Sequence, residues 1–442
     1  MSINPLLSKG LATGLVFILL LIPLSSIRSI IDERAYYRSE VAGKIAAQWS
    51  GSQVISGPVV VLSYLRNVER KVWLEDERRH VMETQTEPAH THLPATSVDW
   101  HIDVPTELRA YGIHAVPVYT SRHVITAQIA AGSLEKLAAS IDDFNRWQAA
   151  ELAIAVTDSR GLVSVPALKV NGIDLDAKPG SLASGLSQIV SGTFDIEALA
   201  TELVIDVDLD LRGSSDIGVV PLAADGRYTI ASEWPHPSFF GRFLPDQRDI
   251  DADGFTATWQ ISRFATSAAA ILQGCDSLVC ASLNDETLRV RLTDPVDIYL
   301  QASRATKYAL LLILATFVAF FLMETLANKR LHTISYTLVG ATLLVFYLLL
   351  LSLAEHIGFT AAYGIGAIAC ALLAAYYLVP SVGRAIASVF GAVHLLLNAT
   401  LFGILRSEDH ALLAGSLLVF GLLALVMVAT RRVDWRRFDT RS

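Results

Sequence analysis

Charge is scarce in this 442-residue chain: 18% of its residues are Asp, Glu, Lys or Arg, while 52% are hydrophobic. Soluble globular chains carry about 25% charged residues, so a purely soluble protein is excluded. Cysteine is scarcer still, at three residues. That leaves Cys275 and Cys280, five apart, as candidates for one local disulfide, and Cys370 as a small packing residue in an apolar run. Also missing are G-x-S-x-G, H-E-x-x-H, the Walker loop and the Rossmann glycine triplet. Without them the residues announce no catalytic chemistry, no cofactor and no metal centre, and the chain is expected not to be an enzyme.

What is present is apolar sequence gathered into runs. Residues 10–27, 308–328, 333–354, 357–379, 385–405 and 411–430 contain a single charged side chain, Glu324. Roughly 20 residues of helix cross a 30 Å hydrocarbon core, so each run is long enough to span a bilayer. Six helices buried in a soluble core would need polar faces that these runs lack. The sequence therefore predicts an α+β membrane protein: an N-terminal transmembrane helix (1–27), a large β-rich domain (28–307), a bundle of five transmembrane helices (308–430) and a basic tail (431–442). The first run is longer than a signal-peptide core and residues 23–27 make a poor cleavage site, so an uncleaved signal-anchor is expected.

Short loops orient the spans. Lys9, Lys329, Arg330, Arg384, Arg431, Arg432, Arg436, Arg437 and Arg441 collect on one side, against Arg406 alone on the other. Positive loops stay cytoplasmic, which puts both termini in the cytoplasm and residues 28–307 on the extracytoplasmic side. That insert holds 25 Lys plus Arg and 37 Asp plus Glu. So acidic a domain repels nucleic acid and anionic lipid, which removes DNA binding as a role.

Within the insert, residues 34–49 have helical spacing and continue the first helix outward, with Gly51 as its stop. Residues 59–62, 114–119, 124–129 and 152–156 read as strands. In 203–211, Leu203, Ile205, Val207, Leu209 and Leu211 alternate with Val204, Asp206, Asp208 and Asp210, the pattern of an antiparallel sheet with one wet face. Residues 255–262 alternate likewise. Residues 83–94 read as a solvated hairpin tip, where His90 and His92 would need His80 or His101 to hold a metal.

Several short patterns resemble chemistry. Asp249, Asp251, Asp253 and Gly254 match the first half of a calcium loop, but Gln260 stands where the closing carboxylate belongs and no helix pattern flanks it; an acidic turn is the plainer reading. Ser133 and Lys136 have S-x-x-K spacing without the companion motifs, and a surface turn before Leu137 is the plainer reading. In the apolar runs, Glu324 lies near the cytoplasmic end of its span, as an ion ligand or paired with Lys329 or Arg330. His394 and Asn398, at i and i+4, share one face near mid-membrane, for interhelical hydrogen bonding or for proton or substrate handling.

The run Trp234-Pro-His-Pro-Ser-Phe-Phe-Gly-Arg-Phe-Leu-Pro245, followed by Gly254-Phe255 and Trp259, is not a generic fold signal. It resembles the CreD family of inner-membrane, cell-envelope integrity proteins. Further matches are Glu33-Arg-Ala-x-Tyr-Arg38, Gly57-Pro58, Asp158-x-Arg-Gly161, Arg304-Ala-Thr-Lys-Tyr-Ala309, Glu324-Thr-Leu326, Arg330-Leu-His332 and Glu355-His-x-Gly-Phe359. The acidic alternation 249–253 and the cysteine pair depart from the family pattern. The resemblance implies one N-terminal span, a large periplasmic domain and a C-terminal bundle. It also implies expression under the Cre sensor-kinase and response-regulator system, a role in envelope integrity, and links to colicin tolerance and β-lactam response. It carries over no catalytic residue. Glu324 and His332 fall inside matched motifs.

Two functions follow as expectations. In the first, the periplasmic domain binds an envelope component or an unidentified periplasmic or membrane protein, with Trp234, His236, Phe239 and Phe240 as a rigid aromatic contact loop, while the bundle sits in the lipid bilayer. In the second, a transporter or channel works through Glu324, His394 and Asn398. Five C-terminal spans offer no even inverted repeat, which weighs against it.

Overall fold

The computed structural model describes residues 5–74, 79–112, 114–184, 186–275, 277–293, 297–326, 331–406 and 411–431. The chain divides into two compact units, Met1–Ser39 with Val296–Ser442, and Glu40–Pro295.

Helix α1 (Pro5–Trp49) begins in the first unit and ends in the second. The second unit continues with β1 (Gln53–Leu74), β2 (Arg79–Pro94), β3 (Ser97–Asp103), β4 (Thr106–Tyr111), β5 (His114–Ile129), α2 (Ser133–Ser140) and β6 (Phe144–Val156). Then come β7 (Ala167–Val170), β8 (Ile173–Leu175), β9 (Lys178–Pro179), β10 (Ile189–Phe194), β11 (Leu203–Ser214), β12 (Asp216–Val220) and β13 (Asp225–Ser232). The last elements are β14 (Pro237–Gly241), β15 (Gln247–Ile250), β16 (Phe255–Ser262), α3 (Ala268–Gln273) and β17 (Leu288–Leu292).

These strands form two sheets. One runs β14-β17-β12-β1-β6-β10-β9 with β2 also on β1; the other runs β15-β16-β13-β3-β5-β11-β7-β8 with β4 also on β5. Apolar side chains of both, among them Ile55, Leu62, Leu152 and Ile217 from the first and Trp100, Ile125, Ile205 and Trp259 from the second, share one core. This is a two-layer sandwich, and the alternation is its cause: every second residue of β11 is buried while Asp206, Asp208 and Asp210 stay outside. The far face of the first sheet is covered by α3 and the short helix Ala281–Asp285, where Ala268, Leu272, Leu278 and Leu283 pack on Val54, Val59 and Ala153. Cys275 and Cys280 are joined as a disulfide in this covering segment, with Cα atoms 6.3 Å apart.

Three sequence readings change. Residues 83–94 are not a hairpin tip but most of β2, paired with β1 from Val59↔Pro94 to Leu74↔Arg79. Over residues 83–88 the ribbon is solvated and needs no apolar alternation, so polar composition there signals exposure rather than a turn, while His92 and Leu93 at its inner end are buried. The link between β1 and β2, residues 75–78, lies outside the described residues. The segments 114–119 and 124–129 belong to one continuous strand, β5. Ser133 and Lys136 sit on the short helix α2, not on a turn.

The first unit contains α4 (Ile298–Lys307), α5 (Ala309–Leu326), α6 (Thr333–Ile357), α7 (Phe359–Val382), α8 (Arg384–Arg406) and α9 (Ala411–Thr430). Helices thus occupy all six apolar runs. The part of α1 from Lys9, with α6, α7 and α8, combines the length and hydropathy of a membrane span; α4 and α5 pass together as a pair bent by 46°, and the apolar stretch of α9, Leu413–Val428, is shorter. The insert defined by hydropathy, 28–307, exceeds the compact second unit at both ends. Ile31 of α1, and Tyr299, Ala302 and Ala305 of α4, are buried in the helical core, because an amphipathic helix can pack on a bundle without meeting lipid.

Candidate functional site

Near the start of α1, Lys9 forms an ion pair with Glu324 of α5. The carboxylate also accepts the Leu331 backbone N–H at 3.1 Å and the Tyr336 hydroxyl at 2.9 Å. Lys9 donates to the Leu331 carbonyl at 2.8 Å and lies 6.0 Å from the Tyr336 ring centre. Phe317 and Phe320 meet Tyr336 edge-on. The sequence offered Lys329 or Arg330 as partners of Glu324; both lie outside the described residues, and Lys9, 315 positions away, is the cation found. Every oxygen of Glu324 has a donor, so the group reads as a helix clasp. His332 accepts the Ile334 N–H at 3.3 Å and caps α6.

A second polar group fastens α1 further along. Arg28 donates to the Thr306 carbonyl at 2.8 Å, Arg34 lies 3.9 Å from Glu355, and Arg38 pairs with Asp297 at 3.0 Å. Tyr299 donates to the same Glu355 at 2.9 Å, and Asp297 caps α4. From Lys9 to Arg34 is about 38 Å of helix at 1.5 Å per residue.

His394 and Asn398 are buried together on α8. Asn398 Nδ2 lies 3.2 Å from His394 Nε2, Thr316 Oγ1 of α5 lies 3.5 Å from His394 Nδ1, and Tyr363 of α7 donates to the Asn398 carbonyl at 3.0 Å. Three helices are thereby joined. Asn398 Oδ1 and the Tyr347 hydroxyl are buried without a hydrogen-bond partner among the described residues. Glu324 takes no part in any of these bonds.

In the second unit the Trp-Pro-His-Pro run leaves β13 of one sheet, adds β14 to the edge of the other, and returns to β15. Trp234 Nε1 donates to the Thr293 carbonyl at 2.8 Å, and Thr293 returns two bonds to the His236 carbonyl. Phe239 turns inward, edge-on to Phe255 and Trp259 with centroids 5.8 Å from each. Phe240 lies under Arg291 at 4.5 Å, and His236 is exposed. Of the four residues expected as contacts, Trp234 and Phe239 are packed against the sandwich core, leaving His236 and Phe240 to face outward or bear charged neighbours.

A Ser–His pair that sequence spacing did not single out lies inside the sandwich. Ser121 Oγ is 2.8 Å from His123 Nε2, and both side chains are fully buried. Trp100 Nε1–H, which only donates, points at His123 Nδ1 from 3.2 Å, so the ring proton sits on Nε2 and donates to Ser121. Ser121 in turn donates to the Leu211 carbonyl at 3.0 Å. The polarity is opposite to nucleophile activation, in which His accepts the serine proton. Burial drives the His123 pKa down to about 3. Asp251 Oδ1 accepts the N–H groups of Asp253 and Gly254 at 2.8 and 3.1 Å, a tight acidic turn between β15 and β16.

The junction of α1 with β1 is densely bonded. The Arg109 and Arg212 guanidinium groups lie 4.0 and 4.8 Å from the Trp49 ring centre. Arg160 donates to the Ala47 carbonyl, an unpaired acceptor of the last helical turn, and holds Asp158, whose pKa falls chiefly through that Arg160 hydrogen bond. Gln53 Nε2 donates to Ser50 Oγ, the Asp158 carbonyl and the Arg212 carbonyl. A Cβ on Gly161 would come within 2.5 Å of the Arg212 carbonyl oxygen, so only glycine fits. Beside this knot opens a cleft of about 560 Å³ between the end of α1, the 157–160 turn and residues 187–188.

Apolar helices with a β-sandwich inserted after the first define a class of protein: a multi-helix membrane protein carrying one large folded domain in a single connection. A family model described as inner membrane protein CreD matches residues 5–436. The inner membrane protein CreD of Escherichia coli (strain K12) is 36% identical over 443 residues, covering 99% of this chain and 95% of that protein. The chain belongs to the CreD family.

Proposed function

We propose that this protein maintains the cell envelope without catalysing a reaction, its sandwich acting as a periplasmic recognition domain for an envelope component or partner protein. In this reading six spans hold it in the inner membrane with both termini in the cytoplasm, and it acts in the envelope-stress response. The observation that carries it is the Trp234–Pro237 crossover: pinned on one side by Thr293 and on the other by Phe239 in the core, it holds exposed His236 in a fixed, outward position, with half-buried Phe240 beside it under Arg291. Rigid contacts of this kind lose little entropy on binding. The buried Ser121–His123 pair, polarised the wrong way for catalysis, also favours recognition over hydrolysis. The test is photocrosslinking from positions 236 and 240 in living cells. Capture of one defined protein or envelope component supports the reading; bare positions at both would end the role of this crossover as its contact.

A second reading, transport or channel activity through Glu324, His394 and Asn398, draws support from one observation, the buried unpartnered Asn398 Oδ1. Glu324 contributes little to it, since Lys9 neutralises the carboxylate. An unchanged envelope phenotype in Glu324→Gln and Asn398→Ala variants would remove it.

A further inference from the structure

We infer that the cleft beside the α1–β1 junction binds an uncharged, hydroxyl-rich saccharide. This rests on the reading of the sandwich as a recognition domain and gives that reading a ligand class.

The cleft, at about 560 Å³, falls within the 300–1,000 Å³ typical of small-ligand sites. Its chemistry is narrow. Hydroxyls come from Ser52, Thr157, Ser159 and Ser187, and a carboxamide from Gln188. The side chains of Ser159, Ser187 and Gln188 make no hydrogen bond to any other described residue, so their donors and acceptors are available to a ligand. Hydroxyl and amide groups both give and accept hydrogen bonds, as sugar hydroxyls do.

Other ligand classes fit poorly. The charged residues at the rim, Asp158 and Arg160, are bonded to each other, which leaves no net charge to select an ion. Apolar side chains are limited to the methyl groups of Ala46 and Ala47, too little for a lipid tail or an amphipathic helix. An added peptide strand needs a free backbone edge, yet the backbone here is spent: Val156 N–H donates to the Gln188 carbonyl and Thr157 N–H to the Val54 carbonyl. One wall is held in place from behind by Gln53, which bonds both backbone groups of the lining residue Asp158, so binding orders little that is not already ordered.

The experiment uses the full chain in nanodiscs of phosphatidylethanolamine and phosphatidylglycerol, with saturation-transfer NMR on three probes: chitotetraose, maltotetraose and tetraglycine. Transfer to at least one saccharide and none to tetraglycine is expected. Ser187→Trp, which fills the cleft from an exposed loop, should weaken saccharide binding about tenfold or more while the melting temperature holds. If that variant misfolds, Ser159→Ala combined with Gln188→Ala takes its place, with the same expected loss. Silence from both saccharides, transfer that cleft variants leave intact, or transfer to tetraglycine alone overturns the saccharide site. A silent cleft together with a partner captured at position 236 or 240 rejects the saccharide and keeps the recognition domain. Saccharide binding with no capture does the reverse for the loop.

Discussion

Lys9 and Glu324 are joined across 315 positions of chain, one from the first turns of α1 and one from the end of α5, and Tyr336 donates to the same carboxylate. Removing one charge strands the other in a mostly apolar surrounding. Lys9→Met should cost about 1–3 kcal/mol, below the 3–5 kcal/mol of fully buried pairs because Lys9 keeps partial exposure. Lys9→Glu with Glu324→Lys should recover most of the loss. Thermal unfolding of the full chain in nanodiscs measures both, and a double variant no better than the single ones would show the pair is not the source.

Acid should weaken the sandwich through His123. Its folded pKa is lowered from 6.5 to about 3 by burial, so between those values the unfolded chain binds a proton that the folded one refuses. Stability from this group is complete above about pH 6.5 and declines as the pH falls toward 3, by about 1.4 kcal/mol per unit. Protonating Nδ1 would also set a donor against the Trp100 N–H. Denaturant titrations of the parent and His123→Gln between these limits should differ in pH slope by about one proton; equal slopes would reject the assignment.

The two faces of the 234–240 crossover should separate cleanly. Phe239→Ala removes ring contacts with Phe255 and Trp259 and is expected to cost about 2–4 kcal/mol. His236→Ala, at an exposed position, should stay within about 0.5 kcal/mol. A stability cost at His236 comparable to that at Phe239 would contradict its outward placement.

His394 and Asn398 should be coupled. In a cycle of His394→Phe and Asn398→Leu, the interaction energy is expected to be about 0.5–1.5 kcal/mol, as for a neutral side-chain hydrogen bond within one helix. Thermal melts of the four proteins give it directly, and additivity within error would mean the pair is merely adjacent.

Much of the architecture was legible locally. The six runs, with one charged side chain among them, marked the helices because lipid tolerates no polar face, and the Leu203–Leu211 alternation marked β11 because one side of a sheet must meet water. The Trp-Pro-His-Pro run and its companions marked the family. Illegible was whatever depended on which element meets which. Polar β2 gave no period to detect over residues 83–88, since its ribbon is solvated there. Amphipathic α4 read as part of the insert because hydropathy registers lipid contact, not helix packing.

Residues two to four positions apart settle where the chain is apolar, which runs can form apolar helices and which strands have a dry side, and these features could be read from the residues alone. The pairings came only with folding: Lys9 with Glu324, Trp100 with His123, and Trp49 with Arg109 and Arg212 next to the hydroxyl-lined cleft. Such contacts join residues far apart in the chain, and no periodicity encodes them; they exist because burying a charge or a polar ring is tolerable only where folding brings its partner within reach.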